Sequence, residues 1–250
     1  MDQQRRGRSP RQAGRRWARR LRHLRYRGST GVEIERLQRL LGPDVRVVLE
    51  IGANIGQDTT RLLAAFPNAV VHCFEPDPRA LAQLERDIVS DRVRVYPLAI
   101  SAVDGPVTFY VSSGAPPGSE EMYPDGWHLS GSVRSPKNHL EVHPWCRFDT
   151  TLEVESRRLD TWAAEHGIEA VDFVWADVQG AEGDLVRGGA RTLARTRVLY
   201  TEFSDGELYT GQVDLRGLRA LLPGWTLERR YRGDVLLVNG RCRARSQGSS

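Results

Sequence analysis

Four acids in this chain, Glu50, Glu75, Asp177 and Glu202, stand at or beside the ends of short apolar runs, and His128, His139 and His143 share one irregular stretch. Acids at strand ends can hold ligand hydroxyls or a ligand cation, and a histidine or carboxylate beside them can take a proton. Between Glu50 and Glu75 lies a loop, Gly52-Ala53-Asn54-Ile55-Gly56, which breaks an apolar run and precedes residues of helical spacing. Glycine at Gly52 and Gly56 is expected to let a ligand approach the backbone. Glu75 follows Glu50 by about one strand-helix-strand unit, within reach of ribose hydroxyls. An adenosine-bearing ligand is implied. Asn54 occupies the place where a dinucleotide fingerprint has its second glycine, and Glu50 is ill placed near phosphate but well placed near an ammonium. S-adenosyl-L-methionine therefore fits better than NAD.

These residues need a doubly wound sheet to position them. Val47 to Ile51 reads as the first strand, Gln57 to Phe66 as a helix and Ala69 to Phe74 as the second strand, ending on Glu75 and Pro76. Asp77 to Val89 has helical spacing. Val93 to Leu98 reads as a third strand, with Ala99 and Ile100 at its carboxyl edge beside the adenine. Val107 to Val111 alternates as a strand, and Ser113 to Thr150 reads as an irregular insertion, too long for a plain connection and so a lid or acceptor surface. Further on, Leu159 to His166 reads as a helix, and Val171 to Val178 as a strand carrying Asp177. A helix follows from Ala181 to about Leu193, then a strand from Val198 to Phe203 carrying Glu202. Leu215 to Leu222 reads as a helix before a closing hairpin, Trp225 to Tyr231 and Asp234 to Asn239. In the strand order 3-2-1-4-5, Asp177 enters the same crevice as Glu50.

The segments EIGANIG (50–56), CFEPDP (73–78) and VDFVWADVQGAE (171–182) resemble the FkbM family of S-adenosylmethionine-dependent methyltransferases, from about Val47 to about Asn239. The resemblance implies a class I, Rossmann-like α/β fold with an antiparallel C-terminal hairpin, and O-methylation of a sugar or natural-product hydroxyl. The family usually has Glu where this chain has Gln179 and often Lys where it has Ala176, so no catalytic role is carried over to those positions. Expected cofactor contacts are Glu50, Gly52, Asn54, Gly56, Glu75, Pro76, Ala99, Ile100 and Asp177. The catalytic candidates are Asp177, Glu202, His128 and His139. Asp177 competes with a plain role as a helix cap, the histidines with roles as surface polar groups, and Glu182 suits the helix dipole. Magnesium is left open, since two carboxylates could bind it, but no spacing demands a metal.

The chain has 250 residues, enough for one sizeable α/β domain, assigned to residues 28–242 with a loose tail over 243–250. Its net charge of +4 divides into +10 for residues 1–27, which hold eleven arginines, and −6 for the rest. Trp17, Leu21 and Leu24 recur at helical spacing in that basic arm. The arm is expected to dock on the acidic body, and RNA-directed or non-catalytic cofactor binding through it is the competing function. Cys73, Cys146 and Cys242 form no metal or disulfide pattern, and no run of about 18 apolar residues offers a membrane span. A cytoplasmic enzyme acting on a small-molecule or glycan acceptor is expected, with nucleic acid disfavoured and a homodimer left open.

Overall fold

The computed structural model describes residues 32–123 and 126–242. The basic arm and the tail from residue 243 lie outside them. Helix α1, Ile34–Leu41, leads into strand β1, Val47–Ile51. Helix α2, Gln57–Ala65, and strand β2, Val70–Phe74, complete the first strand-helix-strand unit. Helix α3, Pro78–Asp87, begins on an Asp77 cap whose side chain accepts from the Arg79 amide, and strand β3, Val93–Tyr96, follows.

Next come the short strand β4, Ala99–Ser101, and two long strands, β5, Gly105–Gly114, and β6, Cys146–Arg158, with helix α4, His139–Val142, between them. Helix α5, Leu159–Glu165, and strand β7, Val171–Ala176, lead to helices α6, Glu182–Gly188, and α7, Ala190–Leu193. Strand β8, Thr196–Glu202, helix α8, Leu215–Leu221, and strands β9, Trp225–Arg230, and β10, Asp234–Asn239, finish the fold.

The main sheet runs β3-β2-β1-β7-β8-β10-β9. Its first five strands are parallel, and β10 is antiparallel to both neighbours. This is the doubly wound class I sheet with the expected hairpin. Alternation along each strand divides the core between the two faces: Val48, Val71 and Trp175 pack with Leu62 and Leu37 on one side, and Leu49, Phe74 and Val174 with Trp162 and Leu185 on the other.

Three expectations change. The insertion expected over Ser113 to Thr150 is shorter, because β6 starts at Cys146 and pairs antiparallel with β5 as far as Gly114 against Cys146. Phe148, Thr150, Leu152, Val154 and Ser156 alternate with polar residues, so the signal was present, and Phe109 faces Leu152 across the ladder. Ala99 and Ile100 belong to a second sheet, β4-β6-β5, and not to the edge of β3. The helix expected from Ala181 to Leu193 is interrupted at Gly189. Among the described residues, no helix is long and apolar enough to cross a membrane.

Candidate active site

The crevice opens where the chain reverses direction across the sheet, between β1 and β7. Gly52 and Ala53 donate their amides to the Phe74 carbonyl at 2.9 and 3.0 Å, and the Asp177 amide donates to Ile51 at 2.9 Å. The loop after β1 is thus pinned to β2 and to the end of β7. Gly52, at φ 85°, comes so close to Asp177 that a Cβ would sit 1.9 Å from the Asp177 carbonyl oxygen. A Cβ on Gly56, at φ 84°, would sit 2.6 Å from Leu84 and Ile88. Both glycines are therefore required by the protein's own packing, and Gly52 also lines the crevice.

Glu75 is buried at the end of β2 and accepts from the Asn54 and Asp77 amides at 2.7 Å each. Burial outweighs those two bonds and pushes its carboxyl up to about 7. Asn54, itself at φ 49°, donates its side-chain amide to the His128 carbonyl at 3.0 Å, tying the insertion to the glycine loop. Glu75, Pro76, Ala99, Ile100, Phe74 and Leu98 line a narrow, largely apolar slot, into which His128 also faces. Its lining offers a carboxylate suited to ribose hydroxyls and apolar side chains suited to a base.

The slot shares Gly52, Asn54, Asp177 and Gln179 with a larger cleft of about 860 Å³. Glu50 borders this cleft at 1% exposure, with Thr59 and Cys73 donating to its Oε2 at 2.6 and 3.4 Å. Burial drives Glu50 up to about 8. Among the described residues no basic side chain is bonded to it, so a ligand cation would find here an acid without a counter-charge. The acid in the strand end thus fits the ammonium of a methionine moiety.

Asp177 and Glu202 come together at the floor of the cleft. The Gln179 side-chain amide donates to Asp177 Oδ1 at 2.6 Å and to Glu202 Oε2 at 3.1 Å. Desolvation raises both carboxyls, and Glu202, which also faces the charges of Asp177, Asp234 and Glu182, rises further than Asp177, which accepts from Gln179. Gln179 is held from three further directions: φ 49° at its own backbone, the Ser132 hydroxyl on its carbonyl at 2.7 Å, and the Tyr209 hydroxyl on Oε1 at 3.1 Å. Glu182 is buried and accepts from the Gly180 amide at 3.2 Å, a local turn contact that accompanies its place in the first turn of α6.

The histidines separate. His128 faces the slot, whereas His139 and His143 line the large cleft. His139 is buried among Phe148, Tyr209 and His143, and burial, with His143 beside it, holds the imidazole down to about 4. A neutral imidazole so hard to protonate is a weaker proton acceptor than the Asp177–Glu202 pair. Sequence reasoning passed over Gln179 as chemistry, and over Tyr209 and Asp58. Asp58, pushed up to about 6 by burial against its Arg61 partner, had the signal of an acid in the first turn after a glycine loop. Among the described residues, no group of three or more His, Cys, Asp and Glu side chains is arranged to hold a metal ion.

A family model for the methyltransferase FkbM domain matches residues 50–233, close to three quarters of the chain. The chain belongs to the FkbM methyltransferase family. The matched segment contains Glu50, Glu75, Asp177, Glu202 and the three histidines of the insertion. The chain is 47% identical over 198 residues to the 2-O-methyltransferase NoeI of Sinorhizobium fredii, covering 77% of this FkbM chain and 79% of that relative. Methyltransferase 1 of Beauveria bassiana is 23% identical over 152 residues, covering 58% of this chain and 59% of its own length. Among solved structures, magnesium protoporphyrin IX methyltransferase (ChlM) from Synechocystis aligns with a TM-score of 0.45 and 11% identity over 82% of this chain and 76% of that one.

Proposed function

We propose that this FkbM methyltransferase methylates a sugar hydroxyl with S-adenosyl-L-methionine as donor. The observation that carries this assignment is the acid pair Asp177 and Glu202, bridged by Gln179, at the junction of a slot lined by Glu75 and apolar side chains and a large cleft. The 2-O-methyltransferase named among the relatives supports a ring hydroxyl as acceptor.

Glu75 would hold the ribose, Pro76, Ala99 and Ile100 the adenine, and Glu50 the methionine ammonium. The cofactor supplies a methyl group on a sulfonium, which leaves as a neutral thioether when the acceptor oxygen takes the carbon. What remains for the protein is to hold that oxygen in line and to receive its proton. Asp177, ionised and directed by Gln179, accepts the acceptor O–H and takes the proton, while Glu202 stays neutral. His139, neutral in the wall of the same cleft, positions the acceptor. If a magnesium ion assists, Asp177 and Glu202 are the residues that would hold it.

Titration with S-adenosylhomocysteine, followed by methyl transfer from labelled cofactor to a panel of methyl glycosides, tests the assignment. Binding and glycoside methylation are expected. Absence of binding at millimolar ligand would refute the cofactor, and binding without methylation of any saccharide would refute the sugar acceptor.

A further inference from the structure

The large cleft has a lobe that methyl transfer alone does not require. Tyr123, Trp127, Trp145 and His143 line it as a continuous aromatic wall: ring centroids lie 4.8 Å apart for Tyr123 and Trp127, 4.9 Å for Trp127 and Trp145, and 5.6 Å for Trp145 and His143. All four are partly exposed, and each neighbouring pair meets edge to face. Trp127 is held in place by its indole N–H, which donates to the Ser130 hydroxyl at 2.9 Å. At the base of the lobe His139, 3% exposed, carries a ring nitrogen, Nδ1, with no hydrogen-bond partner. That nitrogen is itself closed off from the cleft, so His139 borders the lobe as part of its aromatic lining. His139 is joined to the acid pair through Tyr209, whose ring lies 5.3 Å from its own and whose hydroxyl meets Gln179.

Charge narrows the ligand further. Glu50, Asp58, Glu120, Glu121, Asp177 and Glu202 line the cleft, and among the described residues lining it there is no lysine or arginine. Arg61, which lies over Trp175 at 5.7 Å, is already ion-paired with Asp58 at 2.7 Å. A diphosphate entering this cleft would meet carboxylates and, among the described residues that line it, none of the bidentate cationic partners that phosphate recognition uses. A neutral pyranose suits it, presenting a C–H face to an indole and hydroxyls to the acids. With the slot reserved for adenosine, most of the 860 Å³ remains for the methionine portion and the acceptor.

We propose that the acceptor is an uncharged saccharide of at least two rings, the ring next to the methylated one stacking on Trp145, with Trp127 edge-on beside it, and not a nucleotide-activated monosaccharide. The inference rests on sugar methylation as assigned above. It places methylation after the glycosyl transfer that releases the nucleoside diphosphate.

The test offers the full-length protein neutral disaccharides, the corresponding monosaccharides, and the same monosaccharides as nucleoside diphosphates, all with labelled cofactor. Disaccharides should exceed monosaccharides by about tenfold in kcat/KM, a stacking-sized effect, and nucleotide sugars should stay at background. Trp145→Ala should bring disaccharides down to the monosaccharide level while S-adenosylhomocysteine affinity stays within about twofold, and Trp145→Phe should recover most of the difference. Preference for nucleotide sugars, or equal losses for one-ring and two-ring acceptors in Trp145→Ala, overturns the inference and leaves sugar methylation standing. If no saccharide is methylated although S-adenosylhomocysteine binds, the assignment beneath it falls as well.

Discussion

The hydroxyl of Tyr209 stands beside the side-chain oxygen of Gln179. Its one hydrogen is shared between the Ser130 carbonyl at 2.8 Å and Gln179 Oε1 at 3.1 Å, while Nε2 of the same amide donates to Asp177 and Glu202. An uncharged amide thereby bridges two buried carboxyls. Tyr209→Phe removes that hydrogen and frees the amide to turn, and loss of a donor to a carboxylate raises its pKa. The acidic limb of the pH–rate profile should move to higher pH and kcat should drop about tenfold, with cofactor affinity unchanged. Measuring kcat against pH in both proteins decides it, since a purely structural tyrosine would lower activity without moving the limb.

Asp177→Asn keeps the shape and removes the charge. Turnover should fall by about 10²–10⁴ while S-adenosylhomocysteine affinity stays within a few-fold. Chelation of the wild type separates two roles for the same carboxylate: activity lost and restored by magnesium assigns a metal to the pair, and indifference assigns direct proton transfer.

Glu75 binds ligand hydroxyls best when ionised, and its carboxyl lies near 7. Below that pH the group is protonated and loses an acceptor, so S-adenosylhomocysteine affinity should rise between pH 6 and pH 8. Calorimetry on Glu75→Gln should show affinity lower by about 2 kcal/mol at pH 8 and a flatter pH dependence. Unchanged affinity would remove Glu75 from the ribose site.

Glu50 has the opposite effect on stability. Its folded carboxyl, near 8, is raised above the ordinary 4.5, so its stabilisation is full below 4.5 and is lost as pH rises through 8. Without ligand, the midpoint of thermal unfolding should decline from pH 6 to pH 9. Glu50→Gln should reduce that decline, stabilising the protein by about 2 kcal/mol at pH 9. The same variant should bind the cofactor less well, since it removes the partner of the ammonium.

For Gly52→Ala the outcome is loss of fold and not of ligand contact. A methyl group 1.9 Å from the Asp177 carbonyl, on a backbone at φ 85°, forces β1 and β7 apart. A destabilisation of about 3–5 kcal/mol by denaturant titration is expected.

Much of the sheet was legible because its signals are local. Val47–Ile51 and Val171–Ala176 are apolar runs bounded by sharp breaks, and chain order alone then brings Asp177 beside Glu50. What escaped depends on distant partners. Gln179 becomes an arbiter of two acids only through its left-handed backbone and a tyrosine 30 residues later. The reason for Gly52 lies on β7, not in the loop motif itself. Strand β6 was hidden because its outward positions are Thr, Glu and Arg, which resemble a polar loop unless the Phe148–Leu152–Val154 alternation is counted.

The insertion that carries the aromatic wall leaves the main fold at Gly114 and returns at Cys146, and those two residues face each other as the last rung of one ladder. Entry and exit are thus side by side, yet the segment between them is also tied to what it covers: the His128 carbonyl to Asn54, the Ser132 hydroxyl to the Gln179 carbonyl, and Arg134 to Asp184. A change inside the segment is therefore felt at the glycine loop and at the acid pair. Transplanting residues 115–145 between two relatives should carry acceptor choice with it only when Asn54, Gln179 and Asp184 are matched in the recipient.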